Sequence, residues 1–298
     1  MFGDVLELGQ YVKDAQAVLI GGGTFVPKYP QNPQLVALSS ALPTAMFGTG
    51  IGDPLFWGKE HIPAWLQILH NARFIGVRGP LSRRRLGEWG FPVERVEIVG
   101  DTALYFAVEA LSSRHDPGSL AVNLGITYNK LYGFNEAAVE RAVIAALQRL
   151  AKDGWRITLV CAWQPDDVAV DRIVQQVPVA GVEHWHDDFQ TALASMARFD
   201  LVLSEKLHVG VIAACHGIPF VALNYRSKVL DFCSSIDWEA FCLETDRLEA
   251  EQIVEKITLL AGDREQYADR LHRAVSQVKR RLIEAIPRAV SALQAPHE

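Results

Sequence analysis

Residues 200–228 read DLVLSEKLHVGVIAACHGIPFVALNYRSK, and no other part of the chain points so directly to a fold. The apolar runs at 201–203 and 220–223 have the composition of buried parallel strands, with a helix predicted between them. Ser204, Glu205, Lys206 and His208 follow the first strand, where parallel α/β sheets bind ligands. Because a helix begins with a positive dipole end, Lys206 and His208 predict an anion site with a proton donor beside it.

The same alternation of short apolar strands and amphipathic helices extends over the rest of the chain and predicts an α/β protein with parallel sheets. We expect two α/β domains, 1–114 and 115–298, because 298 residues can bury two cores and the polar segment 112–118 suits a linker. Helices at 248–261 and 264–286 are predicted to close the chain without a further strand, the last ending at Pro287 and able to pack back on the first domain. The other predicted elements are strands at 17–20, 45–48, 74–77, 96–99, 121–125, 156–162 and 181–183, and a long helix at 135–152.

The composition excludes two classes of protein. With 29 basic and 35 acidic residues the formal net charge is -6, which argues against a nucleic-acid partner. No apolar run is long enough to span a bilayer and no signal-peptide pattern is present, so a cytoplasmic location is expected. The four cysteines are widely spaced and are predicted to be reduced core thiols, with a nucleophilic Cys215 as the alternative.

Two glycine-rich turns follow predicted strands of the first domain. Gly21, Gly22, Gly23 and Thr24 come directly after the first strand, and Gly48 and Gly50 come after the second. Neither turn is a complete GxGxxG or Walker loop. They either let a ligand approach the backbone closely or only permit tight turns, and their occurrence at two strand ends favours ligand binding.

Arg78 and Asp101 end the third and fourth predicted strands of this domain. The guanidinium of Arg78 could bind a carboxylate or phosphate with two parallel hydrogen bonds. Asp101 is interpreted either as a helix cap or as a catalytic acid. In the second domain, Tyr225, Arg226 and Lys228 follow the strand at 220–223 and add two cations near the Lys206 helix, although Lys228 alone could equally be a solvated loop residue.

His184 and His186, with Asp187 and Asp188, form the only sequence cluster that resembles a metal site. No third ligand is evident at a useful spacing. A solvated loop or a contact with the acceptor substrate is therefore preferred, and no metal ligands are predicted. His216, at the end of its helix, is expected only to complement the helix dipole.

Taken in order, these motifs resemble the polysaccharide pyruvyl transferase family. The resemblance covers about residues 15–232 and rests on VLIGGGTF, FGTGIG, VRGPLSRRRLGEWGF, VGDTAL, AVNLG and SEKLHVGVIAACHGIPFVALNYRSK. It implies a GT-B-like fold, with two Rossmann-like domains facing each other across a cleft. It also implies transfer of pyruvate from phosphoenolpyruvate to two hydroxyls of a sugar in a polysaccharide or its lipid- or nucleotide-linked precursor.

Two positions depart from the family pattern. The family usually has Arg-Leu-His where this chain has Lys206, Leu207 and His208, which replaces a forked guanidinium by a point charge. Family members usually begin with a strand and a Gly-Asn-x-Gly-Asp turn, of which Phe2, Gly3 and Asp4 are at most a remnant. The N-terminal domain could therefore lack its first strand.

The resemblance implies the following site. His208 acts as general acid and base, and Lys206 and Arg78 hold the phosphate and carboxylate of the donor. No cofactor is expected, with phosphoenolpyruvate as the donor substrate, and a metal requirement is left open. Phosphoenolpyruvate is expected on the second domain and the acceptor on the first, with peripheral membrane association where the acceptor is lipid-linked. A glycosyltransferase using a nucleotide sugar and a non-catalytic sugar-phosphate-binding protein remain alternatives. The predicted substrate-binding residues are Gly21, Gly22, Gly23, Thr24, Gly48, Gly50, Asp101, Asn123, Glu205, Tyr225, Arg226 and Lys228.

Overall fold

The computed structural model describes residues 14–24, 26, 33–111, 115–124, 136–186 and 188–294. It divides the chain into two compact units. The first comprises Met1–Tyr105 and Val278–Glu298, and the second comprises Phe106–Gln277. This division falls before the predicted boundary at 114/115. The predicted N-terminal remnant (Phe2, Gly3 and Asp4), residues 112–114 of the predicted linker, Gly125, Asn135 and Asp187 lie outside the described residues.

The first unit contains a four-stranded parallel sheet with its strands in chain order. Parallel neighbours need crossover connections, and the helices supply them. The second strand is buried along almost its whole length, as expected for a sheet covered on both faces. The elements are β1 (Val18–Gly21), α1 (Pro33–Ala41), β2 (Thr44–Thr49), α2 (Pro54–Trp57), α3 (Ile62–Asn71), β3 (Ala72–Val77), α4 (Pro80–Glu88) and β4 (Val96–Ile98).

The second unit contains a six-stranded parallel sheet in the order β10-β9-β8-β5-β6-β7. The chain winds outward from β5 in one direction, then returns to β8 beside β5 and winds outward in the other, which is the doubly wound Rossmann order. The elements are β5 (Asp116–Asn123), α5 (Glu136–Lys152), β6 (Arg156–Cys161), α6 (Asp167–Val174), β7 (Gly181–His184), α7 (Phe189–Met196), β8 (Phe199–Ser204), α8 (Leu207–Cys215), β9 (Phe220–Asn224), α9 (Ser227–Ser235), β10 (Cys242–Glu244) and α10 (Ala250–Gly262). The predicted α/β class with two Rossmann-like units is confirmed.

Two predictions in this unit were wrong. β10 was missed, because a three-residue edge strand is too short to show a pattern. The second half of the predicted linker belongs to β5, which begins at Asp116. Proline and glycine are tolerated there because the register with β8 is interrupted between Asp116 and Leu120, and the amide of Gly118 donates to Oδ2 of Asp200 at 2.9 Å.

The last helix, α11 (Arg264–Gln294), does not end at Pro287 as predicted but continues through it. Proline removes one helical hydrogen bond, yet the buried positions Ala285 and Ala289 on either side pack against Ala45, Phe74 and Val99 of the first unit's core. Tertiary packing therefore outweighs the local cost of proline. In the described part of the chain, no helix has the length and apolar character needed to cross a membrane.

Candidate active site

The candidate site of the second unit lies where the strand order reverses, at the carboxyl ends of β5 and β8. Asn123 and Ser204 end these two strands and are partners in the register. The buried side chain of Asn123 donates from Nδ2 to the Val160 carbonyl at 2.9 Å, and its Oδ1 accepts from the amide of Lys206 at 3.1 Å. The amide of Glu205 donates to the Asn123 carbonyl at 3.0 Å. One asparagine thus fixes the backbone of Glu205 and Lys206 against the ends of β5 and β6.

Helix α8 follows this turn and is buried at every residue except His208. Lys206 is its N-cap residue, and the hydroxyl of Ser204 donates to the Lys206 carbonyl at 2.7 Å. His208, one of the two histidines in this segment, lies in the first turn of the helix and is exposed to solvent. A titratable imidazole is thereby presented at the positive end of a helix that is otherwise enclosed by protein, which suits proton transfer to an anionic ligand.

The side chain of Lys206 has two neighbours that the sequence analysis did not identify. Its Nζ lies 3.3 Å from Oδ1 of Asp166 and 4.9 Å from the ring centre of Trp163. Asp166 is fully buried; burial raises the pKa of its carboxyl, while the charge of Lys206 opposes that increase. Trp163 and Asp166 follow β6, the neighbour of β5, so the strand-end rule that singled out Lys206 could have found them.

The cations after β9 are held by an aromatic ring. Tyr225 is buried, and the guanidinium of Arg226 and the ammonium of Lys228 lie 5.3 and 5.2 Å from its ring centre. Arg226 is the N-cap residue of α9. Asn224 anchors the strand end by donating to Glu244 at 2.8 Å and accepting from the amide of Leu230 at 3.2 Å. Two positive charges therefore share one aromatic platform at the strand end next to β8.

In the first unit, Arg78 is a buried link between strand ends, with only 2% of its surface exposed. Its Nε pairs with Asp101 at 2.9 Å, Nη1 donates to the Thr24 hydroxyl at 3.0 Å, and Nη2 donates to the Gly23 carbonyl at 2.7 Å. A Cβ at Gly50 would lie 2.8 Å from Nη1. Arg78 therefore holds the turn after β1, and its close approach requires glycine at position 50.

The two glycine turns are shaped for this packing. Gly22, Gly23 and Gly48 all have positive φ, and a Cβ at Gly48 would lie 2.4 Å from Cγ2 of Thr102. Asp101 caps the turn that follows it, because its Oδ1 accepts from the amide of Ala103 at 3.0 Å. These contacts favour the capping interpretation of Asp101.

A second group of reactive side chains lies at the β6–β7 edge of the second unit. Cys161, Asp167, His184 and His186 place their ligand atoms within 4.8 Å of one another. Burial, reinforced by a hydrogen bond to Asp167, raises the pKa of the Cys161 thiol to about 12. The same hydrogen bond lowers the pKa of Asp167. The sequence spacing did not reveal Cys161 and Asp167 as neighbours of the histidines, because they come from a different strand and the helix after it.

A profile of the polysaccharide pyruvyl transferase family matches residues 6–227. The chain belongs to this family. The resemblance drawn from the ordered motifs is thus confirmed, and the chain is a member of a family of transferases that act on polysaccharides. Among curated proteins, no sequence match was found.

Solved structures confirm that this pyruvyl transferase family member has a GT-B-like fold. Anabaena HepE in complex with UDP is 14% identical, with a TM-score of 0.59 over 93% of this chain and 79% of HepE. S. aureus MnaA with UDP is 12% identical, with a TM-score of 0.61 over 98% of this chain and 79% of MnaA. The lipopolysaccharide outer core galactosyltransferase WaaB is 11% identical, with a TM-score of 0.53 over 95% and 78%. At these identities the likeness concerns the fold alone.

The predicted site residues of this family member fall into two groups, one in each unit. Those of the second unit gather at the ends of β5, β8 and β9, and those of the first unit gather at the ends of β1 to β4. Their roles toward a substrate, and the cleft expected between the domains, stay predictions. The residues in the second unit are Asn123, Glu205, Lys206, His208, Tyr225, Arg226 and Lys228. Those in the first unit are Gly21, Gly22, Gly23, Thr24, Gly48, Gly50, Arg78 and Asp101.

Proposed function

We propose that the protein transfers the pyruvyl group of phosphoenolpyruvate to two hydroxyls of one sugar in a polysaccharide or its lipid- or nucleotide-linked precursor. The observation that carries this proposal is the exposure of His208 at the start of the buried helix α8, in a chain of the pyruvyl transferase family. That position joins a proton donor to a helix N-terminus at the point where doubly wound sheets bind ligands.

The reaction needs a proton donor and groups that stabilise the negative charge of phosphoenolpyruvate. His208, as imidazolium, would give its proton to the methylene carbon of phosphoenolpyruvate, which becomes the methyl group. The neighbouring carbon is then electrophilic and is attacked by the first sugar hydroxyl, whose proton returns to His208 or to phosphate. Inorganic phosphate then leaves, and the second hydroxyl attacks the same carbon to complete the ketal, giving its proton to whichever of His208 and phosphate did not take the first. One group acting in both directions suits a side chain whose ordinary pKa lies near neutrality.

The contacts of Lys206 affect how much each cation of the site contributes to binding the phosphate. Asp166 at 3.3 Å partly cancels the charge of Lys206, so this lysine contributes less to anion binding than an isolated cation would. The start of α8 and the Arg226 and Lys228 pair would then supply more of the attraction for the phosphate. Arg78, which is buried in contacts of its own unit, would act by holding the glycine turn that faces a substrate.

The direct test is incubation with phosphoenolpyruvate and a panel of lipid- and nucleotide-linked sugars. Phosphate release and a new ketal methyl signal in NMR spectra report the reaction. His208→Ala should lower the rate by about 10²- to 10⁴-fold, as expected for loss of a positioned acid–base group, with the melting temperature unchanged. His216→Gln, at the other end of the same helix, is the matched control and should keep its rate. Equal turnover by His208→Ala would remove His208 from the mechanism.

A nucleotide-sugar glycosyltransferase is the second candidate, because the similar structures of HepE and MnaA were solved with UDP. That function predicts thermal protection by UDP or UDP-sugars and no response to phosphoenolpyruvate. A binding protein without activity would instead retain sugar phosphates and release no phosphate. The same incubations, followed by differential scanning fluorimetry, separate these outcomes.

A further inference from the structure

Four side chains of the kinds that bind transition metals meet at the β6–β7 edge of the second unit. Cys161, Asp167, His184 and His186 each offer one ligand atom, and all four atoms lie within 4.8 Å of one another. No second group of this kind occurs in the described part of the chain. The cluster is separate from His208 and is not needed for the chemistry proposed above.

Regular elements bring the four residues together. β6 and β7 pair in parallel with Cys161 opposite His184. His186 follows two residues later, and the two imidazole rings lie 5.6 Å apart. Asp167 is the first residue of α6, after the short turn that leaves β6. Three of the ligands therefore lie on two strand ends and one helix start, and such elements hold a site more rigidly than loops do, whereas His186 lies in the bend that follows β7.

The spacing fits a small tetrahedral ion. Bonds of about 2.0 to 2.3 Å around Zn²⁺ place neighbouring ligand atoms about 3.3 to 3.8 Å apart. Nδ1 of His184 already lies 3.1 Å from Oδ1 of Asp167. A separation of 4.8 Å, the upper limit in the cluster, has to shorten by about 1 to 1.5 Å. Rotation of the exposed His184 and the half-buried His186 can supply that change, while the buried Cys161 stays in place.

The donor types and their charges favour zinc. A thiolate with two imidazoles excludes Mg²⁺ and Ca²⁺, which prefer oxygen ligands, and four ligands in this arrangement suit Zn²⁺. One thiolate and one carboxylate neutralise a divalent ion, so the buried side of the cluster carries no excess charge. We propose that Cys161, Asp167, His184 and His186 bind one Zn²⁺ in a closed structural site.

A metal ion bound at this site would also affect Lys206, through its partner Asp166. Asp167 follows Asp166, whose carboxylate pairs with Lys206 at 3.3 Å. On binding, the Cys161 thiol would lose the proton that it donates to the Trp163 carbonyl at 3.1 Å, and the sulfur of Cys161 and a carboxylate oxygen of Asp167 would each bond to the metal. The ion would thereby tie the Gln164–Asp166 turn to the edge of the sheet and hold Asp166 in position.

Cobalt substitution tests the site without using activity. Tag-free protein is treated with a chelator and titrated with Co²⁺, which gives visible bands in tetrahedral sites and a near-ultraviolet band when a thiolate binds. We expect one ion per chain, both sets of bands, displacement by one equivalent of Zn²⁺ and a higher melting temperature with zinc. Failure of the folded protein to show the thiolate band would overturn the proposal.

Variants assign the ligands. Cys161→Ser should abolish the thiolate band, whereas Cys242→Ser, the matched control at a partly exposed cysteine, should leave it unchanged. His186→Asn alters a less buried side chain and keeps the test valid if Cys161→Ser fails to fold. It should weaken Zn²⁺ binding at least about 10-fold, because loss of a ligand costs no less than loss of a supporting group. An unchanged thiolate band in Cys161→Ser, or unchanged affinity in His186→Asn, contradicts the assignment.

Discussion

Lys206 lies between a buried carboxylate and an indole ring, and these neighbours decide what its charge contributes. Asp166 has no exposed surface, and its ion pair with Lys206 spans 3.3 Å. Removing one member of a buried pair leaves the other charge without compensation, which costs far more than the pair itself contributes. Lys206 is therefore expected to matter for stability, in addition to the ligand binding proposed for it.

We expect Lys206→Met to lower the free energy of unfolding by about 3 kcal/mol, because Asp166 would remain buried beside an apolar side chain. The double variant Lys206→Met with Asp166→Asn should recover most of this loss, since no buried charge remains. Urea unfolding followed by circular dichroism measures both. Lys228→Met, at a lysine that lies over Tyr225, is the control and should change stability by less than about 1 kcal/mol. A double variant no more stable than the single one would argue against the pair.

For single residues, the sequence predicted which side chains lie at the candidate site better than it predicted which side chains contact them. Lys206, His208 and Asn123 could be placed because polar residues at parallel strand ends share one edge of a sheet. The same rule could have marked Asp166 as a candidate, but it could not predict that Asp166 pairs with Lys206 or that Cys161 lies beside His184, because strand order and register decide which distant side chains meet. The contacts of Arg78 depend in the same way on the order of the first sheet.

Helix α8 is buried except at His208, and His216, which follows the helix, is half-buried. Burial lowers the pKa of His216 below its usual 6.5, so the neutral imidazole is the form favoured in the folded protein. The expectation that His216 serves as a cation for the helix dipole is therefore not supported. The unfolded chain binds the proton more readily than the folded protein does. The free energy of unfolding is therefore unaffected by this residue above the pKa of His216 in the unfolded chain, and it decreases as the pH falls toward the pKa in the folded protein.

His216→Gln should therefore reduce the loss of stability that the wild-type protein shows between about pH 7.5 and about pH 5. Unfolding in urea at several pH values in this interval gives the slope for each protein. His70→Gln, near the end of α3 and exposed, is the control for the exchange of a histidine for glutamine. If His216→Gln and the wild type have the same slope, the titration of His216 does not contribute to acid sensitivity.

Element types followed from the sequence wherever apolar periodicity was long enough. Nine of the strand segments were predicted, and β10 was missed because three residues carry no periodicity. Pro287 predicted a helix end on local grounds, whereas packing of Ala285 and Ala289 carries the helix onward to Gln294. Local rules therefore failed where a contact with a distant part of the chain outweighed them.

At the scale of the whole molecule, the division into units depends on the C-terminal segment, which returns to the first unit. The first unit is completed by Val278–Glu298, after the second unit has been formed by Phe106–Gln277. Composition placed a boundary near a polar linker, but it could not show where the chain re-enters the first unit. Ala285 and Ala289 cover a face of the first sheet formed by Ala45 and Phe74, and their small side chains allow the helix to approach closely.

Ala285→Asp should therefore destabilise the first unit selectively, by about 2 to 5 kcal/mol, because it buries a carboxylate against Ala45 and Phe74. Hydrogen exchange followed by mass spectrometry would show faster exchange in Thr44–Thr49 and Ala72–Val77, while Phe220–Asn224 keeps its protection. Ser291→Asp, at an exposed position of the same helix, is the control and should leave both regions unchanged. Equal loss of protection in the two sheets would mean that the units unfold together and that the returning helix does not stabilise the first unit separately.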